Sequence, residues 1–339
     1  MKPMVHLLLV LVLLPCSVLA ARSAAAPQPA RDASAEEYKE NIFLNFTVDA
    51  QPFLNKVGQL IASHLLPVDG CDIPQRSIAF SYANKHVFDF ILLQRSAMDA
   101  HGMRSCIEKR FITICLDAKC LQMCGDHNIT NCVALNLPPV PYTQHSSYKN
   151  KYTKNSYSFV TWLKHELMLK SFSLVDEVMY FDADVLVLNN PWPETRFGRD
   201  ERGKKVEQTY DIMYQRERGI GYVNCGGSAN SGVVWVRNSS AVREVYAPAM
   251  FAVREDIMED RVLDQDIMGQ NASKKPLRYC TLPARKFFAH CVWSHDRSAP
   301  LSETITYHTT CLSGKGTKLR YLKLVLSKAN SKELVGAVV

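Results

Sequence analysis

The segment Val178–Leu188 sets two carboxylates, Asp182 and Asp184, around the single small residue Ala183. An apolar run, Val178–Phe181, leads into them and a second, Val185–Leu188, leads out. A strand ending at Asp182 turns two hard oxygen ligands toward the crevice at the carboxyl end of a sheet, where open α/β folds bind ligands. Carboxylates combined with phosphate oxygens suit Mn²⁺ or Mg²⁺. A solvated turn between two strands would use the same residues, so the D-x-D pattern gains weight only from its surroundings. An EF-hand calcium loop is excluded, because Leu186 stands where an oxygen ligand is required and the obligatory glycine is missing. A glycosidase pair fits poorly too, since this spacing suits one metal better than an opposed acid and base.

Three further segments could act with that pair. Asn230-Ser231-Gly232 runs straight into the apolar stretch Val233–Val236, placing small polar groups at the start of a strand, where they can hydrogen-bond sugar hydroxyls. Leu263–Met268 places Asp264, Gln265 and Asp266 at the head of a short apolar helix, where Asp264 is equally suited to N-capping. Thr306–Cys311 ends a strand with His308, and Lys318 follows ten residues later. A lone histidine is more often structural than a ligand.

Elements must hold these groups. Short apolar, β-branched runs recur at Ile78–Tyr82, Phe111–Leu116, Cys132–Leu135, Glu177–Phe181, Asp211–Tyr214, Gly232–Val236, Leu277–Leu282 and Thr304–His308. Helical spacing is clearest in Ser158–Ser171, where Phe159, Trp162, Leu163, Glu166 and Leu167 share a face. Val87–Ala100, Ser240–Val253 and Leu263–Gly269 also read as helices. Alternating strands and helices predict an α/β sandwich with a mostly parallel sheet. The expected organisation is a leader at 1–20, a flexible Ala/Pro-rich linker at 21–35, a helical segment at 36–70 interrupted at Pro52, the main domain at 71–325 and a tail at 326–339.

The compartment is legible at the N-terminus. Lys2, the apolar run Leu7–Leu14 and the small residues around Ala20 form a signal-peptide pattern. The alternative is an uncleaved type II anchor, and only then would a membrane be a partner. Four sequons follow, at Asn45, Asn128, Asn238 and Asn271. Of the 11 cysteines, the ten after Cys16 read as disulfides in an oxidising lumen, without a deducible pairing. A formal charge of +7 on 339 residues is modest and scattered, and no nucleic-acid motif is present, so nucleic acid is not an expected partner.

Taken in order, these pieces resemble the nucleotide-diphospho-sugar transferases of the GT-A fold, nearest to glycosyltransferase families 77 and 8. The resemblance spans about Ser77 to Lys323. It implies that Asn84 follows the first strand and that Asp117 holds the nucleotide base. It makes Lys164 the basic residue on the helix before the metal motif, with Asp182, Ala183 and Asp184 as the D-x-D. Asn230 and Ser231 match the donor-sugar strand, and Asp264, Gln265 and Asp266 the reaction-centre helix. His308 resembles the third metal ligand and Lys318 the diphosphate-binding lysine. Two departures stand out: Gln215-Arg216-Glu217 replaces an Asp-Arg-Cys-like element, and Leu319–Leu326 is Lys/Leu-rich instead of acidic.

The expected activity is transfer of a hexosyl or pentosyl group from a nucleotide diphosphate sugar, a UDP-sugar by resemblance, to a glycan or glycoprotein in the Golgi lumen. The resemblance implies retention of anomeric configuration, with Gln265 and Asp266 on the reacting face and Mn²⁺ or Mg²⁺ held by Asp182, Asp184 and His308. A lumenal binding protein of the same fold without turnover is the alternative.

Overall fold

The structure, a computed structural model, describes residues 47–63, 71–137, 151–196, 210–218, 228–258, 264–272, 276–291 and 300–329. The leader, the linker, Asn45 and Cys225 lie outside these residues, as does Ser273 of the fourth sequon.

Among the described residues ten strands are present: β1 (Ser77–Ala83), β2 (Phe111–Cys115), β3 (Cys132–Ala134), β4 (Glu177–Phe181), β5 (Val185–Val187), β6 (Ile212–Arg218), β7 (Ser228–Arg237), β8 (Tyr279–Thr281), β9 (Phe287–Ala289) and β10 (Thr306–His308). Seven form one sheet in the order β3-β2-β1-β4-β7-β6-β8. The pairs β1–β2, β2–β3, β1–β4 and β6–β8 are parallel, whereas β7 runs antiparallel to both neighbours. The mostly parallel α/β sandwich of GT-A type expected from the sequence is therefore observed.

The sheet is apolar on both faces, because helices cover one and further elements cover the other. Along β4, Val178 and Tyr180 enter one core while Met179 and Phe181 enter the other; Ile78 and Phe80 of β1 join the first, and Ala79 joins the second. Such period-two alternation is what a two-faced strand requires. The first face packs against α1 (Gln51–Ser63), through Phe53, Val57 and Leu60, with the Phe53 ring edge-on to Phe80 at 5.4 Å. Pro52, expected to interrupt this helix, instead lies in its first turn, where the missing N–H has no helical partner to lose.

Further helices include α2 (Phe88–Ala100), α3 (Ala118–Asp126), α4 (Lys151–Ser171), α5 (Ala247–Ala252), α6 (Asp264–Ala272) and α7 (Lys315–Lys328). In α4, Phe159, Trp162, Leu163 and Leu167 form the buried stripe anticipated from their spacing. The strands β5 and β9 and the helices α3 and α7 are additional to the sequence reading. Helix α7 also runs past residue 325, the expected domain limit.

A small second sheet, β5-β10-β9, sits beside the D-x-D turn. Its β10 pairs antiparallel with β5 so that His308 lies opposite Val185. Among the described residues four disulfides join Cys71–Cys106, Cys115–Cys120, Cys124–Cys132 and Cys291–Cys311, and Cys280 is disulfide-bonded as well. No helix among the described residues is long and apolar enough to cross a membrane.

Candidate active site

The topology gathers the predicted residues on one sheet edge. Strands β1, β2, β4 and β6 run in the same direction, so Asn84, Asp117, Asp182 and Gln215 follow or lie near their carboxyl ends. Because β7 is reversed, the start of that strand, with Asn230 and Ser231, falls on the same edge; Gln215 pairs across to Asn230.

Asp182, Asp184 and His308 converge, with one ligand atom from each lying within 4.8 Å of the others. The Asp182 N–H donates to the Gly232 carbonyl at 2.7 Å, continuing the β4–β7 ladder by one residue. Asp184 then turns back beneath β10, where the Thr309 N–H donates to its carbonyl at 3.3 Å. His308 Nε2 lies 3.4 Å from Asp184 Oδ1 and 3.8 Å from Asp182 Oδ2. Tyr180 O–H donates to Asp182 Oδ1 at 2.5 Å. Residues two apart share a face of a strand, so this tyrosine and carboxylate can meet.

Asp184 is buried, and three groups hold its carboxylate. Lys318 Nζ donates to Oδ2 at 2.6 Å, Thr309 Oγ1 donates to the same oxygen at 2.8 Å, and Oδ1 faces His308. Burial alone would raise its pKa; the Lys318 ammonium on Oδ2 opposes this, and the carboxyl is held well below the usual carboxylate range. His308 uses its other nitrogen, with Nδ1 2.7 Å from Gln215 Oε1.

The donor set fits a hard divalent cation. Two carboxylates and one imidazole are its natural ligands. A second observation agrees: a Cβ on Gly232 would lie 2.2 Å from His308 Cε1 and 2.6 Å from Asp182 Oδ2. Any side chain at 232 would press on the His308 ring and the Asp182 carboxylate, so glycine leaves both ligands room to face one another.

Lys164 takes a different position from the metal turn. Its ammonium is buried and donates to Ser231 O at 3.1 Å, to Ser231 Oγ at 2.5 Å, and to Asp264 Oδ2 at 2.8 Å. Those contacts use three N–H donors, tying α4 to β7 and α6. The same Asp264 oxygen lies 3.1 Å from His165 Nε2, and His165 Nδ1 is 3.2 Å from Tyr246 O–H. Burial lowers the pKa of His165 and favours its neutral form, with Nε2–H donating to Asp264 and Tyr246 donating to Nδ1. Burial would raise the Asp264 carboxyl, but Lys164 and His165 hold it below the ordinary range.

The other predicted residues are placed as follows. Asn84 Oδ1 accepts from the N–H groups of His86 and Val87 at 2.9 and 3.3 Å. Asp117 caps α3 through Cys120 N–H at 2.7 Å and also accepts from Lys85 N–H at 3.0 Å. Asn230 Oδ1 accepts from Gly232 N–H at 2.8 Å. Ala183 is half-buried between the two carboxylates. In α6, Gln265 donates to Glu217 Oε2 at 3.3 Å, while Asp266 lies on the exposed side of the first turn.

Four residues near the site were not assigned roles by the sequence reading: Gln215, Glu217, Tyr180 and Thr309. Gln215 and Glu217 stood out only as a departure from the family pattern. The i, i+2 spacing of Tyr180 to Asp182 was a readable signal. Nothing local in the sequence links Thr309 to Asp184, because the two are 125 residues apart.

A family profile described as nucleotide-diphospho-sugar transferase matches residues 106–322. No curated protein matches the chain by sequence. Among solved structures, the galactosyltransferase LgtC in complex with donor and acceptor sugar analogues is 15% identical, with a TM-score of 0.44, covering 75% of this chain and 96% of its own. Mouse xyloside xylosyltransferase 1 is also 15% identical, with a TM-score of 0.43 and coverages of 70% and 99%. The glycosyltransferase GlyE of Streptococcus pneumoniae is 14% identical, with a TM-score of 0.39 and coverages of 76% and 63%.

Proposed function

Because the chain belongs to the nucleotide-diphospho-sugar transferases, a family of glycosyltransferases, we propose that it transfers a hexosyl or pentosyl group from a UDP-sugar to a glycan or glycoprotein in the secretory pathway, in the Golgi lumen, with retention of configuration. The observation that carries this reading is the convergence of Asp182, Asp184 and His308 at the sheet edge. Asp182, Asp184 and His308 hold Mn²⁺ or Mg²⁺, which supplies charge stabilisation for a departing nucleoside diphosphate.

The chain's own residues do the rest. Lys318, at the N-terminal turn of α7, stands beside Asp184 and meets the donor's phosphates as a point cation. Asn84 and Asp117 receive the nucleoside at the ends of β1 and β2. Asn230 and Ser231 face the donor sugar, and the buried Lys164–Asp264 pair fixes Ser231 relative to α6. Gln265 and Asp266 present an amide and a carboxylate oxygen toward positive charge building at the anomeric carbon.

Nucleotide sugars should be screened for protection against thermal unfolding, with Mn²⁺ and with a chelator, and the protecting donor then assayed for release of nucleoside diphosphate. Asp184→Asn should lose both protection and turnover. Normal donor binding by that variant in Mn²⁺ would reduce the D-x-D to a structural turn and sink the assignment. Gln265→Ala and Asp266→Ala should lower kcat by on the order of 10²–10³ while changing donor affinity less.

The compartment has a separate test. Asn128 and Thr130 of the second sequon are exposed, whereas the Asn238 amide donates to the carbonyls of Phe172 and Val175 at 2.8 and 3.2 Å. In a eukaryotic host the protein should carry an N-glycan on Asn128 and none on Asn238. An enzyme-resistant, unglycosylated product would contradict lumenal exposure.

A further inference from the structure

We infer that Gln215 is the residue that aims His308 at the metal, so that the departure from the family pattern at 215 belongs to the working site. The inference rests on the metal reading above and assigns a positioning residue to it.

Gln215 lies on β6, next to the reversed strand β7, and is completely buried. Its side chain crosses to the small sheet, where Nε2 donates to the carbonyl oxygens of Phe288 at 3.0 Å and Phe287 at 3.4 Å. Those two acceptors cannot serve the amide oxygen, so they settle the flip that distances alone leave open. Oε1 therefore points at the imidazole, 2.7 Å from His308 Nδ1.

The histidine's tautomer follows. An amide oxygen can only accept, so the proton of neutral His308 sits on Nδ1, and the lone pair sits on Nε2. Nε2 is the nitrogen that faces Asp184 Oδ1 at 3.4 Å and Asp182 Oδ2 at 3.8 Å. Metal-binding histidines generally have the other ring nitrogen fixed by a carboxylate, a carbonyl or water in this way. Here a glutamine side chain fills that part, and main-chain carbonyls of β9 hold it in turn. The β9–β10 pairing brings Ala289 opposite His308, so one small sheet supplies both the ligand and the groups that orient its partner. A wide carboxylate in place of Gln215 would face the same two carbonyls with no hydrogen to donate. That explains why an amide suits this position better than an aspartate or glutamate.

The test measures Mn²⁺ binding to the intact chain by the electron paramagnetic resonance signal of the free ion, with melting temperature followed in parallel. His308→Ala serves as the reference for loss of a ligand. Gln215→Leu should weaken Mn²⁺ binding by roughly 10–100-fold, the usual consequence of losing a partner of a metal-bound histidine. Gln215→Glu restores an acceptor for Nδ1–H, so it should bind Mn²⁺ more tightly than Gln215→Leu even while melting lower than the wild type. A purely structural role predicts that both variants lose stability and keep wild-type Mn²⁺ affinity. That result, with wild-type binding intact, overturns the inference alone. Should Gln215→Glu fail to fold, an unchanged affinity in Gln215→Leu still overturns it. Wild type binding Mn²⁺ no better than His308→Ala would overturn the metal reading, and this inference with it.

Discussion

Lys318 Nζ lies 2.6 Å from Asp184 Oδ2, which joins the first turn of α7 to the turn between β4 and β5. Thr309 donates to the same oxygen, leaving Oδ1 toward His308. One carboxylate thus has two duties: one oxygen is anchored by protein donors and the other faces the candidate metal position. Lys318→Met should separate these duties. UDP-sugar affinity in the presence of Mn²⁺ should fall by the worth of a charged hydrogen bond, about 1.5–3 kcal/mol. Affinity for Mn²⁺ alone should not fall comparably, because the lysine is not a ligand. Calorimetric titration of each variant checks this, and equal losses of metal and donor would refute the separation.

Gly232 provides a test by steric filling. Its missing side chain leaves the space among Asp182 and His308. Gly232→Ala should abolish Mn²⁺-dependent turnover while the protein still folds, since β7 tolerates alanine in its backbone. The expected readout is loss of Mn²⁺ binding with a near-native circular dichroism spectrum. Retained Mn²⁺ affinity would mean that the three ligand atoms do not share one ion.

The buried Lys164–Asp264 pair at 2.8 Å should behave as a unit. Removing one partner strands a charge in the interior, at a cost of about 3–5 kcal/mol. Lys164→Met and Asp264→Asn should therefore each lower urea stability, and the double variant should lose clearly less than the sum. Additive losses would show that the two residues act independently.

Acid stability reports a different ion cluster. Asp211 is fully buried between Arg237 and Arg278, which reach its oxygens at 2.9 and 3.0 Å. Burial opposes ionisation, but the arginine hydrogen bonds lower its pKa from 3.8 to about 2. The sign follows from proton uptake. The unfolded chain protonates this group first as pH falls, so its contribution is complete above about pH 4 and fades toward pH 2. Asp211→Asn should flatten the unfolding free energy over that window while lowering stability at neutral pH. An unchanged slope between pH 4 and 2 would assign the acid response to other carboxylates.

Much of this arrangement is carried by local pattern. Each predicted strand run corresponds to an observed strand, because a short continuous apolar run between polar breaks is what a strand buried on both faces needs, as Val178 to Phe181 illustrate. The stripe Phe159, Trp162, Leu163 and Leu167 follows from helical geometry in the same way. The D-x-D pair, its place at a strand end and the hard-ion chemistry of its oxygens are likewise properties of adjacent residues. What lay beyond the sequence was decided by pairings of distant segments. The antiparallel contact of β10 with β5 brings His308 to Asp184, and the reversal of β7 puts Asn230 and Ser231 on the edge where β1, β2 and β4 end. By resemblance Lys164 is the basic residue on the helix before the D-x-D, and only the fold shows its ammonium buried against Ser231 and Asp264. Gln215 looked like a mere deviation, and it acquires meaning only because Phe287, Phe288 and His308 surround it. Side-chain chemistry is written residue by residue, but hydrogen-bond direction and desolvation depend on which remote groups the folded chain places within about 3 Å.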